Sequence, residues 1–194
     1  MLSYEKDFKE NLIAGIDEAG RGPLAGPLVC ACVIMPKTDL IEDIDDSKKL
    51  SAKKRECLFD KITEKAIAYS IIEIDEKTID EINILNATKL GMKKALEGLS
   101  VVPELVLTDA VRIETDIPQQ NIIHGDGLSY NIAAASILAK VYRDRLMQRL
   151  SLSYPQYLFA QHKGYGTKQH IENLKKYGPC PHHRKTFIKN FGNF

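Results

Sequence analysis

Apolar positions along this chain follow two rhythms. Runs rich in Val, Ile and Leu predict strands at 12–16, 28–35, 66–74, 105–109 and 121–126, all too short for buried helices. Spacings of three and four predict helices. One runs from a Ser51 cap to about Lys65. A second lies behind Thr78-Ile79-Asp80-Glu81, which has the form of a capping box, and carries Ile82, Leu85, Leu90, Met92 and Leu96 as far as Gly98. A third runs from about Ser129 to Leu150 and opens on the small residues Ala133, Ala134, Ala135 and Ser136, which allow close packing on a sheet. The stretch 154–194 reads as irregular, with one helix over 168–177. Strands first, then strands mixed with helices, predict an α/β domain built on a mixed sheet.

Between the first two strands stands Gly20-Arg21-Gly22-Pro23-Leu24-Ala25-Gly26-Pro27, a rigid Gly/Pro loop. Three apolar segments end in acidic residues, at Asp17-Glu18, Asp109 and Asp126. Neighbouring strands with carboxylate ends gather those groups at one edge, where they repel unless cations stand between them. Hard oxygen ligands suit Mg²⁺ or Mn²⁺, and a pair of such ions is the chemistry of phosphodiester hydrolysis. Aspartates also collect at strand ends merely because they favour turns. Alternation along a strand sets Asp17 and Glu18 on opposite faces, so Glu18 is expected where the strand breaks before Gly20, or to contribute its main-chain carbonyl.

Charge sharpens the picture. The 194 residues carry a net +1, yet the part from Lys140 onward holds eleven Lys/Arg against Asp144 and Glu172, leaving the first 139 residues net acidic. A basic part beside a carboxylate edge points to a polyanionic partner. No run approaches the length of a membrane span, and the start, Met1-Leu2-Ser3-Tyr4-Glu5-Lys6-Asp7, lacks the apolar segment of a signal peptide, so the protein is expected to be cytoplasmic and, by default, monomeric. The four Cys are expected as buried thiols. Cys180-Pro181-His182-His183 lacks the second ligand pair that structural zinc needs.

The ordered motifs Asp17-Glu18-Ala19-Gly20-Arg21-Gly22-Pro23, Asp46-Ser47-Lys48-Lys49-Leu50, Gly125-Asp126 ahead of Ala133–Val141, and His162-Lys163-Gly164-Tyr165-Gly166-Thr167 closely resemble the ribonuclease HII family, over about Ile13 to His183. The resemblance implies a ribonuclease H-like fold: a mixed five-stranded sheet flanked by helices, with residues 151–194 as a helical, basic extension of one catalytic domain spanning 1–194. It implies an endonuclease that cuts RNA in RNA–DNA hybrids and beside single ribonucleotides in duplex DNA, using two ions of Mg²⁺ or Mn²⁺. The family's four acidic positions fall on Asp17, Glu18, Asp109 and Asp126, and its ribonucleotide-recognition element falls on Gly20, Arg21 and Gly22. The tyrosine that packs on the next sugar falls on Tyr165. Lys48 is a candidate phosphate contact, a lysine pair on a solvated loop being the alternative. Ala110 stands where the family commonly has Gly, His124 where Lys is usual, and Gly127 where a small side chain is usual. A ribonuclease HIII-like hybrid nuclease would lack the Gly-Arg-Gly element. A catalytically inactive nucleic-acid binder would leave the carboxylates without a use.

Overall fold

β1 (Ile13–Ala19) occupies the centre of a five-stranded sheet of order β3-β2-β1-β4-β5. Its neighbours explain why it is apolar on both faces. It pairs antiparallel with β2 (Leu28–Ile34) across the Gly/Pro loop and parallel with β4 (Leu105–Asp109). β3 (Ala68–Ile74) extends the antiparallel side, and β5 (Gln119–Ile122) adds a parallel edge to β4. The computed structural model describes residues 4–45 and 47–192; the start 1–3, Asp46 of the lysine motif and 193–194 lie outside the described residues.

Helices cover both faces. α2 (Glu76–Glu97) lays Ile79, Ala87, Met92 and Leu96 over Ala14, Ile16, Cys30, Cys32 and Val106. On the other face α1 (Ala52–Lys65) and α3 (Tyr130–Ser153) enclose Val29, Ala31 and Val33 through Leu58, Ile62 and the Ala133–Leu138 run. α3 comes unusually close to β1. A Cβ on Gly15 would stand 2.1 Å from the carbonyl carbon of Asn131, so only glycine admits the helix there.

Several predicted boundaries move, each for a local reason. α2 begins at Glu76, because Asp75 caps it by accepting from the Thr78 N–H at 2.7 Å; Thr78 is inside the first turn rather than at its cap. The helix breaks at Asn83 (φ 65°), whose Oδ1 accepts from Leu85 and Asn86 N–H and restarts the next turn. That break turns Leu85 out to solvent. β5 lies at 119–122, ahead of its predicted place, and Asp126 ends no strand. It sits in a 3-10 turn, Gly125–Gly127, entered through His124 in left-handed backbone. Beyond α3 the chain is more regular than its composition indicates: a 3-10 turn at Pro155–Tyr157, α4 (Phe159–His162), α5 (Lys168–Tyr177) and α6 (Lys185–Ile188). Cys57 is exposed on the solvent side of α1, contrary to the expectation of buried thiols, and Cys180 is half-buried. Among the described residues no helix is long and apolar enough to cross a membrane.

Two anchors close the fold. His170 and His183 are buried with their Nε2 atoms 3.1 Å apart, and burial pushes both pKa values down to about 4, so the pair is neutral at physiological pH. At the other end, buried Glu5 accepts from the N–H groups of Tyr130 (3.0 Å) and Asn131 (3.1 Å), from Asn131 Nδ2 and from Ser129 Oγ. A carboxylate at the α3 N-terminus also meets the positive end of the helix dipole. Glu5→Ala is therefore expected to lower stability by about 2 kcal/mol, or roughly 4–8 °C in Tm, as measured by thermal unfolding.

Candidate active site

Asp17 and Glu18 belong to the last turns of pleat in β1, past Ile16, where the pairing with β4 stops opposite Thr108. The strand does not break before them. Glu18 is still paired opposite Cys30, and β1 runs to Ala19 and stops before Gly20, so Glu18 lies one residue inside the end of the strand, next to the expected break. The two carboxylates do sit on opposite faces, Glu18 on the face of Ala14 and Ile16, but the sheet ends here and one cavity wraps its edge. Asp17, Glu18 and Asp109 line that cavity together. Gly20, Arg21, Gly22, Ser47, Lys48 and Tyr165 line it as well. Asp126 stands outside the lining and is joined to it by Lys48, whose Nζ lies 3.0 Å from Asp126 Oδ2. The structure thus brings every predicted site residue to one neighbourhood, with Asp126 in an outer position.

Each carboxylate is held differently. Asp17 Oδ1 accepts from the Glu18 N–H at 2.8 Å, and Ser136 of α3 bonds to the same carboxylate. Asp109 Oδ1 accepts from Gly125 N–H at 3.1 Å, which ties the end of β4 to the turn carrying Asp126. Burial, and then the charge of Glu18, hold the Asp17 carboxyl well above the usual carboxylate range. Glu18 is raised as well, by burial first; Arg21, 3.5 Å away, opposes that rise and the charge of Asp109 adds to it. Glu18 Oε2 is buried and, among the described residues, has no hydrogen-bond partner.

That orphaned oxygen and the all-oxygen donor set fit a divalent cation. Among the described residues no three Asp, Glu, His or Cys side chains are gathered tightly enough to enclose an ion by themselves. This suits Mg²⁺-type sites, which take one or two carboxylates and complete the shell with water and substrate phosphate oxygens.

Gly20 has φ +99°, and a Cβ on it would stand 2.0 Å from Arg143 Nε, so position 20 is glycine for both backbone and space. Tyr165 is half-exposed, its Cε1 3.6 Å from where a Gly22 Cβ would be. The departures from the family pattern also acquire a place. Ala110 adopts φ 55°, a left-handed conformation that glycine tolerates and that costs alanine about 1 kcal/mol, and His124 adopts φ 58° on an exposed corner. Sequence reasoning passes over Ser47, Ser136, Arg143 and Arg184. Ser47 Oγ and Ser136 Oγ are 2.8 Å apart, linking the lysine motif to Asp17. The only signal for Arg143 is an arginine on the apolar side of α3. The basic part is also less of a surface than its count implies, because Arg143 and Arg184 are both buried.

A mixed sheet of this order, with carboxylates at the ends of its two central parallel strands, defines a metal-dependent nuclease of the ribonuclease H fold. The family profile of Ribonuclease HII matches residues 14–191. The Ribonuclease HII of Ruminiclostridium cellulolyticum is 57% identical over 195 residues, covering 98% of this chain and 76% of that protein. Among solved structures, the ribonuclease H2 of Pyrococcus horikoshii superposes with a TM-score of 0.78 at 26% identity, covering 92% and 96% of the two chains. The ribonuclease HII of Archaeoglobus fulgidus, solved in complex with PCNA, gives 0.77 at 25% identity, covering 94% and 98%. The chain belongs to the ribonuclease HII family, whose activity is cleavage of the RNA strand of RNA–DNA hybrids.

The raised Asp17 carboxyl has a consequence for stability. Its folded pKa exceeds the unfolded one, so ionised Asp17 opposes folding at high pH, and that penalty is relieved as pH falls and the proton binds. Asp17→Asn is expected to raise the Tm in EDTA at pH 8 while abolishing cleavage. The gain in Tm shrinks on acidification, which a pH series of melting curves checks.

Proposed function

We propose that the protein is an endoribonuclease that cuts the RNA strand of hybrids and also the 5′ side of single ribonucleotides in duplex DNA, leaving 3′-hydroxyl and 5′-phosphate ends. The observation that carries this reading is the single cavity in which Asp17, Glu18 and Asp109 share walls with Gly20, Arg21, Gly22 and Tyr165. Asp17, Glu18, Asp109 and Asp126 are the residues to hold two ions of Mg²⁺ or Mn²⁺. Such ions supply activation of water and neutralisation of the charge on the leaving oxygen.

The chain's own residues do the rest. Arg21 and Lys48, paired with Glu18 and Asp126 and exposed on their outer sides, are placed to exchange those carboxylates for substrate phosphates as the site fills. Bare backbone at Gly20 and Gly22 allows main-chain groups to reach the 2′-hydroxyl that separates RNA from DNA. Tyr165 lies against the following sugar, where a missing 2′-hydroxyl lets the ring sit flat. Residues 151–194 serve as the basic substrate-binding extension of one catalytic domain, although α3 itself continues to Ser153. The working unit is a monomer on its nucleic-acid substrate.

A DNA duplex with one ribonucleotide, beside all-DNA and all-RNA duplexes, with and without EDTA, tests the reading. Cleavage is expected only at the ribonucleotide, only without EDTA, with 3′-hydroxyl and 5′-phosphate termini; a 2′,3′-cyclic phosphate would overturn it. Tyr165→Ala is expected to reduce kcat/KM at an isolated ribonucleotide about tenfold more than within a long hybrid, since a stacking contact is worth on the order of 1 kcal/mol. Equal losses on the two substrates would place junction recognition elsewhere.

A further inference from the structure

Among the described residues the two largest fully buried side chains are cations. Arg143 and Arg184 are 1% and 0% exposed, and among the described residues neither is paired with a carboxylate. Among the described residues every hydrogen bond their side chains make goes to a main-chain carbonyl. Arg143 reaches Pro27 (2.9 Å), Ala25 (3.1 Å) and Lys163 (3.0 Å). Arg184 reaches Gly20 (2.6 Å), Arg21 (2.9 Å) and, with two nitrogens, Gly26 (3.0 and 2.7 Å). Burial, and then the charge of Arg143, push Arg184 down to about 9, which still leaves it protonated at neutral pH.

A buried charge without a counter-ion is a poor way to fill space; an apolar side chain of similar volume does so at lower cost. The guanidinium must therefore be judged by what it orients. A trans peptide points its C=O and the following N–H in opposite directions, and no cis bond occurs here. With the carbonyls of Gly20 and Arg21 drawn to Arg184, the N–H groups of Arg21 and Gly22 point away from it. Neither N–H has a hydrogen-bond partner among the described residues, and both residues line the cavity of Asp17 and Glu18. The backbone that delivers Arg184 is itself fastened to the loop: Gly26 N–H donates to His182 O and Arg184 N–H to Leu24 O, each at 2.8 Å.

We propose that Arg184 is the positioning residue of ribonucleotide recognition, holding the Gly20 and Arg21 carbonyls so that the N–H groups of Arg21 and Gly22 stand in the cleft as fixed donors to an oxygen of the substrate ribose. This rests on residues 20–22 being the recognition element. It assigns to the segment after α5, far from the carboxylates in sequence, the geometry that tells RNA from DNA. Lysine at 184 keeps a charge but cannot span three carbonyls at once.

The test is binding, not turnover. Affinities for a DNA duplex with one ribonucleotide and for the same all-DNA duplex are measured in EDTA by fluorescence anisotropy, for wild type, Arg184→Lys and Asp80→Asn. Asp80 tethers α6 by accepting from the N–H groups of Lys185 (2.7 Å) and Thr186 (2.9 Å), so its variant loosens the same segment with Arg184 intact. The expected result is a preference for the ribonucleotide in wild type that falls about tenfold in Arg184→Lys, the scale of one good hydrogen bond, with all-DNA affinity unchanged. Asp80→Asn loses Tm and keeps the preference. Arg184→Lys with full preference overturns the proposal, as does Asp80→Asn losing it equally, which marks a merely structural role. No preference in wild type overturns instead the reading of 20–22 as the recognition element. Should Arg184→Lys not fold, the wild-type protein decides: the amide resonances of Arg21 and Gly22 must shift with the ribonucleotide duplex and not with all-DNA, and their failure to do so overturns the proposal.

Discussion

Everything at the site depends on how closely α3 lies on β1. Because Gly15 has no side chain, the helix backbone sits directly on the strand, and from that contact onward the two run as a matched pair. Asn131 reaches Met35 N–H at 2.7 Å, Ser136 meets Asp17, Arg143 passes under Gly20, and Met147 lies where a Gly26 Cβ would be. One helix thus sets the far end of β2, a carboxylate and the Gly/Pro loop. A side chain at position 15 would lift the helix and separate all of these together, which is why close packing here matters more than the area it buries.

The charges are divided with some economy. Buried guanidiniums at 143 and 184 are satisfied by carbonyl dipoles, so they organise backbone without neutralising the carboxylates a few residues away. The cations that pair with the carboxylates of the site, Arg21 with Glu18 and Lys48 with Asp126, have side chains 45% and 78% exposed. Their exposed cationic ends are screened by water, and a substrate phosphate can compete for them. Asp17, buried, and Glu18, largely so, meanwhile stay beside one another with raised pKa values, an arrangement that costs stability in the empty protein and gives a divalent cation something to relieve.

The packing of the last forty residues follows from the same loop. A single bridge between Ala25 and His183 sets the chain after α5 beside the Gly/Pro stretch, and the neutral pair His170 and His183 fills the space behind it. The Cys180 N–H donates to His183 Nδ1 at 3.0 Å, so the cysteine–histidine cluster is an internal hydrogen-bond network.

Read by itself, the sequence determines the elements whose signals are local: β1 and β2 from their apolar runs, α1 from its Ser51 cap, α5 in full, and the family from motifs that keep their order. It also places Asp17, Glu18 and Asp109 at one sheet edge, since apolar runs with acidic ends carry that information. What it leaves to the tertiary structure is set by contacts across long separations. The apolar pattern does not locate β5, because an edge strand of Gln, Gln and Asn has little apolar rhythm to read, and Asp126 stands in a 3-10 turn where the pattern predicts a strand end. Glu18 reaches the cavity from inside β1 because the sheet stops beside it, which no spacing reveals. Arg184 grips carbonyls 158 to 164 residues away, and its role is invisible until the chain has folded, because a main-chain carbonyl has no identity in the sequence.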